Sequence, residues 1–229
     1  MKLLGNIVNF LFDKSNVEKS LAEFFSAQKA NILSFGSTVN QTFEAYVFAQ
    51  CIKSCQKRGW IVSIKNPSSG KFKDKFRLKF STRGAPSNFS YAIAEKNYYK
   101  IQIHHGLRVE TAYNHMSSNG RANICLDVAI ITETDVSYQS SDDAIPNSAL
   151  LSFGEAKHMS AYAELVAGFL GLVHEMLPDA LTPYFGEKEG VEKPFLYVSG
   201  HLYGTAYGIA ETITARGFFV NIYSFDNKM

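Results

Sequence analysis

Ile124-Cys125-Leu126-Asp127-Val128-Ala129-Ile130-Ile131 and, after a polar connection, Phe153-Gly154-Glu155-Ala156-Lys157 are the two stretches on which the reading of this chain turns. The first is almost wholly apolar, the pattern of a strand covered on both faces and so of the centre of a sheet. An acid inside such a run is costly to bury unless something positive meets it. The second closes a strand over Leu150 to Ala156, and alternation sets Glu155 and Lys157 on one face. Two adjacent strands then present Asp127, Glu155 and Lys157 to one point. That set suits metal-assisted phosphodiester hydrolysis: hard carboxylate oxygens hold Mg²⁺, the metal polarises the phosphate, and an ammonium steers the attacking water.

Outward from this pair, the periodicity predicts a helix from Asn40, with Phe43, Val47, Phe48, Cys51, Ile52 and Cys55 on one face. Gly59 ends it, and Trp60 to Ile64 reads as a strand. Tyr98 to Val109 is a further strand. Ser160 to Leu177 is a helix with a broad apolar stripe stopped by Pro178. Phe195 to Ser199, Thr205 to Arg216 and Phe218 to Phe225 continue as strand, helix and strand. Asp135 to Ser148 is a polar connection. The expectation is a mixed α/β sheet with helices packed on it. Residues 1–36 form an N-terminal helical extension, closed by Ser34-Phe35-Gly36-Ser37-Thr38, and 37–229 the main domain. The segment Met1 to Phe12 imitates a signal peptide, but two asparagines interrupt it and Asp13-Lys14 follows, so an amphipathic helix is the better reading.

The chain has 229 residues, 46% apolar and 19% charged, with a net charge of +2. Disorder is excluded, and the whole molecule is no polycation. The charge is instead local. Lys65, Lys71, Lys73, Lys75, Arg77, Lys79 and Arg83 face the single acid Asp74 between positions 65 and 90, so this stretch is +6 and the remainder −4. Its centre alternates, Lys71, Lys73, Lys75, Arg77 and Lys79 against Phe72, Asp74, Phe76, Leu78 and Phe80, which predicts a strand with a cationic face for tracking phosphates. Edge protection by lysines is the competing reading. No apolar run approaches the roughly 18 residues of a membrane span. Three cysteines without a Cys-x-x-Cys pair point to neither a disulfide framework nor a thiolate zinc site, and so to a reduced, cytoplasmic protein.

Asp127 followed by Glu155-Ala156-Lys157, on consecutive strands with a helix after them, resembles the PD-(D/E)xK nuclease superfamily, which includes many restriction endonucleases. The resemblance covers roughly residues 40 to 200 by element order, with Leu126 standing where the motif's name has proline. It implies a restriction-endonuclease-like α/β fold, a mixed central sheet flanked by helices around an α-β-β-β-α-β core. It also implies a Mg²⁺-dependent DNA endonuclease of restriction or phage-defence type, with Mn²⁺ able to substitute. In that family Asp127, Glu155 and the carbonyl of Ala156 would bind metal, Lys157 would hold the catalytic-lysine position, and Glu44 would match an acid that many members carry on the preceding helix. DNA is the implied partner, with RNA left open, and symmetric cutting implies a homodimer or higher oligomer.

Each assignment has a plainer competitor. Asp127, Glu155 and Lys157 could form an ion pair that only fixes register. Glu44 could be a solvated helix residue or part of a capping box begun by Asn40 or Gln41. His104-His105 reads as strand-end histidines contacting DNA or a partner, His158 and Tyr162 as residues bordering the site, Glu164 as a solvent-facing acid, and Cys51 and Cys55 as buried thiols. A second acid-x-lysine triplet, Asp226-Asn227-Lys228, lacks the strand context of the first. A trigger-activated effector nuclease, a non-catalytic nucleic-acid binder and a purely structural protein are the functional alternatives.

Overall fold

A β-rich middle, from position 61 to 157, sets the architecture, and helices cover it on both sides. The computed structural model of the protein describes residues 14–27, 38–133, 143–183 and 190–225. The expected helix within Met1 to Phe12, the break at 34–37, most of the polar connection and the triplet Asp226-Asn227-Lys228 lie outside the described residues. The elements are α1 (Lys14–Ala27), α2 (Val39–Lys57), β1 (Ile61–Lys65), β2 (Tyr91–Lys96), β3 (Tyr99–Glu110), β4 (Asn123–Thr132), β5 (Leu150–Lys157), α3 (Ala163–Met176), β6 (Phe195–Val198), α4 (Gly204–Ala215) and β7 (Asn221–Tyr223). The strands form one seven-stranded mixed sheet in sequential order. β1 to β5 run antiparallel to their neighbours, whereas β5, β6 and β7 are parallel, joined by α3 and α4 as parallel neighbours require.

The sheet has an apolar layer on each face. Val128 and Ile130 of β4 cluster with Phe43, Phe48 and Ile52 of α2, and Ala129 and Ile131 with Val166, Phe169 and Val173 of α3. α1 joins the α2 layer through Leu21 and Phe25, the latter 4.3 Å from the Phe76 ring. Thr38 caps α2 by accepting from the Gln41 N–H at 3.3 Å. The Thr-x-x-Gln spacing is that of a capping box, so Glu44 lies one turn further along and is free of that duty.

The segment 71–80 does not form the expected strand. Residues 70–72 make a 3-10 turn, Asp74 takes a left-handed φ of 58°, and only Phe76 makes an isolated bridge. Its backbone bonds run locally, to Ser90 and, at the Lys79 carbonyl, to the His105 side chain, and β2 takes the place in the sheet between β1 and β3. β2 itself went unread because Ala92 and Ala94 are poor strand signals. Its hairpin to β3 turns on Asn97, at φ 55°.

The β3–β4 pair changes phase once. Ile101 and Ile103 face the α2 layer, but Leu107 and Val109, two and three steps of alternation further, face the α3 layer. On β4, Val128 and Ile130 join the first layer and Leu126 the second. The register, His105 to Val128 and Leu107 to Leu126, sets Gly106 opposite Asp127 at the switch. Gly106 has φ +66°, and a Cβ there would lie 2.4 Å from the Lys79 carbonyl oxygen. Gly106→Ala is therefore expected to cost at least roughly 1–3 kcal/mol by denaturant unfolding. Gly168→Ala, on an open face of α3, is expected to be neutral or to stabilise by up to about 1 kcal/mol.

Candidate active site

β4 and β5 pair as far as Val128 with Gly154 and then part. From Gly154 onward β5 instead runs parallel with β6, through Lys157 opposite Val198. Glycine is required at the parting because a Cβ on residue 154 would fall 2.1 Å from Cζ of Phe195. The divergence leaves the Ala156 N–H without a ladder partner on β4, and the Asp127 carboxylate accepts it at 2.9 Å. The N–H and C=O of one strand residue point to the same side, so the Ala156 carbonyl faces the same gap. Beside it Glu155 and Lys157, two residues apart on one face, form an ion pair.

Glu44 enters from the second turn of α2, with its side chain 26% exposed and Oε2 3.6 Å from Nε2 of buried His105. Nδ1 of His105 lies 2.8 Å from the Lys79 carbonyl oxygen, which can only accept, so the ring proton sits on Nδ1. Burial holds the His105 pKa down to about 4. The ring is therefore neutral at physiological pH and turns a bare Nε2 lone pair toward Glu44.

The acids share too little positive charge. Burial, then the Glu155 charge, raises the Asp127 pKa to about 7 against the partial relief of the Ala156 N–H. Burial raises that of Glu44, which Lys157 counteracts and Glu155 reinforces. Lys157 loses by burial but gains more from Glu155, Asp127 and Glu44, so its ammonium stays charged. Among the described residues no three His, Cys, Asp or Glu side chains form a ready-made metal ligand set. Glu155 is turned to Lys157 instead. The donor chemistry nevertheless fits Mg²⁺: hard oxygens from Asp127, Glu155 and the Ala156 carbonyl, in a cluster whose mutual repulsion a divalent cation relieves.

The four residues Asp127, Glu155, Lys157 and Glu44 are thus brought together, and the basic segment is not one surface. Lys71, Lys73 and Lys75 are exposed, but Arg77 is half-buried between the Phe72 and Phe89 rings, and Lys79 is 4% exposed. Burial lowers the Lys79 pKa, and this lysine cannot track phosphates from where it lies. The reason is the missing strand: with Asp74 in a turn, alternate residues no longer share a side.

His104 and His105 are corrected likewise. Both are 4% exposed, His104 stacked on Tyr91 with Nε2 2.9 Å from the Gln102 amide oxygen, so neither can meet DNA or a partner directly. Burial holds the His104 pKa near 3. His158 packs against Phe43, and Glu164 lies in the exposed first turn of α3. Cys51 and Cys55 are buried free thiols, as expected.

Two features escaped the sequence reading. The Tyr162 and Tyr203 rings stack at 4.4 Å where α3 and α4 begin, just beyond the ends of β5 and β6. Buried Glu192 is held by Arg58, Ser54, Asn221 and Tyr223, partners too distant in sequence to signal it. No helix among the described residues is long and apolar enough to cross a membrane. No family model matches the chain, and neither curated proteins nor solved structures contain a match.

The Asp127 pKa, raised from 3.8 to about 7, sets a pH signature. Between those values the folded protein holds a proton that the unfolded chain releases, so this residue's contribution to stability is full in acid and is lost as pH rises toward 7. Asp127→Asn should remove that slope, matching wild type near pH 4 and exceeding it near pH 8 in denaturant midpoint. Parallel pH profiles for the two proteins would contradict the buried placement of the charge.

Proposed function

We propose that the protein is a Mg²⁺-dependent endonuclease of restriction-endonuclease-like fold that hydrolyses DNA phosphodiester bonds. The observation that supports this most is the divergence of β4 from β5, which gathers Asp127, the Ala156 backbone, Glu155 and Lys157 at one gap, with Glu44 above it from α2. Five strands, β1 to β5, lie between α2 and α3, and with β1 and β2 set aside as additions the order α2, β3, β4, β5, α3, β6 is that of the α-β-β-β-α-β core the resemblance implies. Because that agreement concerns topology, the function rests on the site.

In this reading Asp127, Glu155 and the Ala156 carbonyl would hold the cation, which when bound would polarise the phosphate and lower the pKa of a water. Water adds to phosphorus, a new P–O bond forms, and the bond to one bridging oxygen breaks. Lys157, whose charged form Glu155, Asp127 and Glu44 favour, orients the water and offsets the negative charge that grows on the phosphoryl oxygens. Glu44, whose proton affinity is raised by burial, accepts the proton that the water gives up, and the departing oxygen takes one from solvent. His105 holds its lone pair toward Glu44 and so favours the carboxyl once it has gained that proton.

The exposed Lys71, Lys73 and Lys75 supply the general attraction for the phosphate backbone. Replacing all three with alanine should weaken binding on every sequence and flatten its salt dependence, whereas an unchanged salt slope would remove them from the interface.

The direct test is cleavage of plasmid and single-stranded DNA with Mg²⁺ or Mn²⁺, with a chelator control. Wild type should cut only with metal. Asp127→Asn, Glu155→Gln and Lys157→Ala should each lose about a hundredfold or more in rate. Metal-independent cutting, or full activity in any of the three variants, would overturn the assignment. Discrete fragments would mark a site-specific restriction enzyme, and a smear a nonspecific effector.

A further inference from the structure

Beside the candidate site, the broken-up basic segment and α2 enclose a cleft of about 430 Å³, lined by Phe72, Arg77, Phe80 and Phe89 with Gln41 and Ser81. Its chemistry is unusual for a surface dent. The Arg77 guanidinium lies 3.9 Å from the Phe72 ring centroid and 4.6 Å from that of Phe89. Among the described residues no carboxylate, carbonyl or hydroxyl meets the Arg77 side chain. Two rings thus hold the guanidinium while, among the described residues, its donors stay unengaged. Such a side chain has already lost its conformational freedom, so engaging an anion costs it little further entropy. Lys71 stands over the Phe72 ring at 4.8 Å, and Lys73 and Lys75 follow it at the surface with no acidic partner among the described residues.

The cleft borders the helix face that carries Glu44. Gln41 on its wall and Glu44 are three residues apart on α2, hence neighbours on one helix face. Phe80, on another wall, meets the His105 ring at 4.9 Å, and His105 Nε2 faces Glu44. A nucleotide next to a phosphate held at the β4–β5 gap would therefore reach the cleft.

We propose, resting on the nuclease reading, that this cleft receives an unpaired base of the DNA being cut, and that the substrate class is single-stranded or locally unpaired DNA. Half-buried Phe80 on the cleft wall supplies an apolar surface against which a base of any identity can pack, and Arg77 with Lys71 takes the adjoining phosphate. The bases of an intact duplex are stacked inside it and cannot fill an aromatic-lined recess unless one is extruded. The occupant is a base of the polynucleotide, since the exposed lysines beyond Arg77 extend the positive surface past the space one nucleotide fills.

The test is equilibrium binding in chelator, by fluorescence anisotropy, of a single strand, the matching perfect duplex and the same duplex with one unpaired base. Wild type should bind the first and third at least about tenfold more tightly than the second. Phe72→Ala and Arg77→Ala should abolish that preference while leaving duplex binding within about twofold, and Arg77→Lys, which keeps the charge but loses the planar fork, should lose most of it. Thermal melting of each variant checks folding, and Asp127→Asn should keep the preference. Equal affinity for paired and unpaired DNA, or a preference that survives both alanine variants, would overturn the proposal. So would tighter binding of free deoxynucleoside monophosphate than of the single strand, which would make the cleft a mononucleotide site. Cleavage plays no part in this readout, so a protein that cuts duplex without the preference fails here alone, and one that shows the preference but never cuts fails only as a nuclease.

Discussion

The hydrogen bond from the Ala156 N–H to the Asp127 carboxylate is where the sheet and the site are the same object. Two strands that part inside a protein leave backbone donors without partners, and each buried orphan costs about 1–3 kcal/mol. Asp127 fills that vacancy on β5 and is thereby held within the field of the Glu155 charge. The arrangement needs glycine at two points. Gly154 admits the Phe195 ring as β5 transfers from β4 to β6, and Gly106 lets β3 change phase opposite Asp127 against the Lys79 carbonyl. α2 then completes the gap from above with Glu44.

The two kinds of buried acid in this protein separate structure from chemistry. Glu192 has both oxygens engaged, by Arg58 and Ser54 on one side and Asn221 and Tyr223 on the other, and ties the end of α2 to β7. Nothing about it invites a ligand. Asp127, Glu155 and Glu44 instead crowd around a single ammonium, and burial and mutual repulsion raise the proton affinity of Asp127 and Glu44. A fold gains nothing in stability from such a cluster, and perturbed carboxyls in a gap are a common mark of a working site.

Much of this was legible in the sequence, for local reasons. The runs that became β3, β4 and β5 carry their burial in their composition, α2 and α3 in their periodicity, and Asp127 meets Glu155 and Lys157 because consecutive strands paired as neighbours. What stayed hidden depends on distant residues. The phase change at Gly106 involves Lys79, a residue far back in the chain. The alternation of 71–80 looked like a strand because spacing cannot show that Asp74 turns left-handed or that Ser90 takes the backbone bonds of Arg77. The same failure converted an expected cationic face into a cleft: with the alternation broken, Arg77 swings among phenylalanines and Lys79 is buried beside His105. Glu192 was invisible for the same reason, its partners lying at both ends of the fold.

The most direct measurement is the anomalous diffraction of crystals soaked in saturating Mn²⁺. A strong peak bounded by the Asp127 and Glu155 carboxylates and the Ala156 carbonyl, with Lys157 released from Glu155, is the predicted result. Crystals that show no peak there, with the Glu155–Lys157 pair intact, would contradict a metal-dependent nuclease site and return these residues to the role of a structural ion pair.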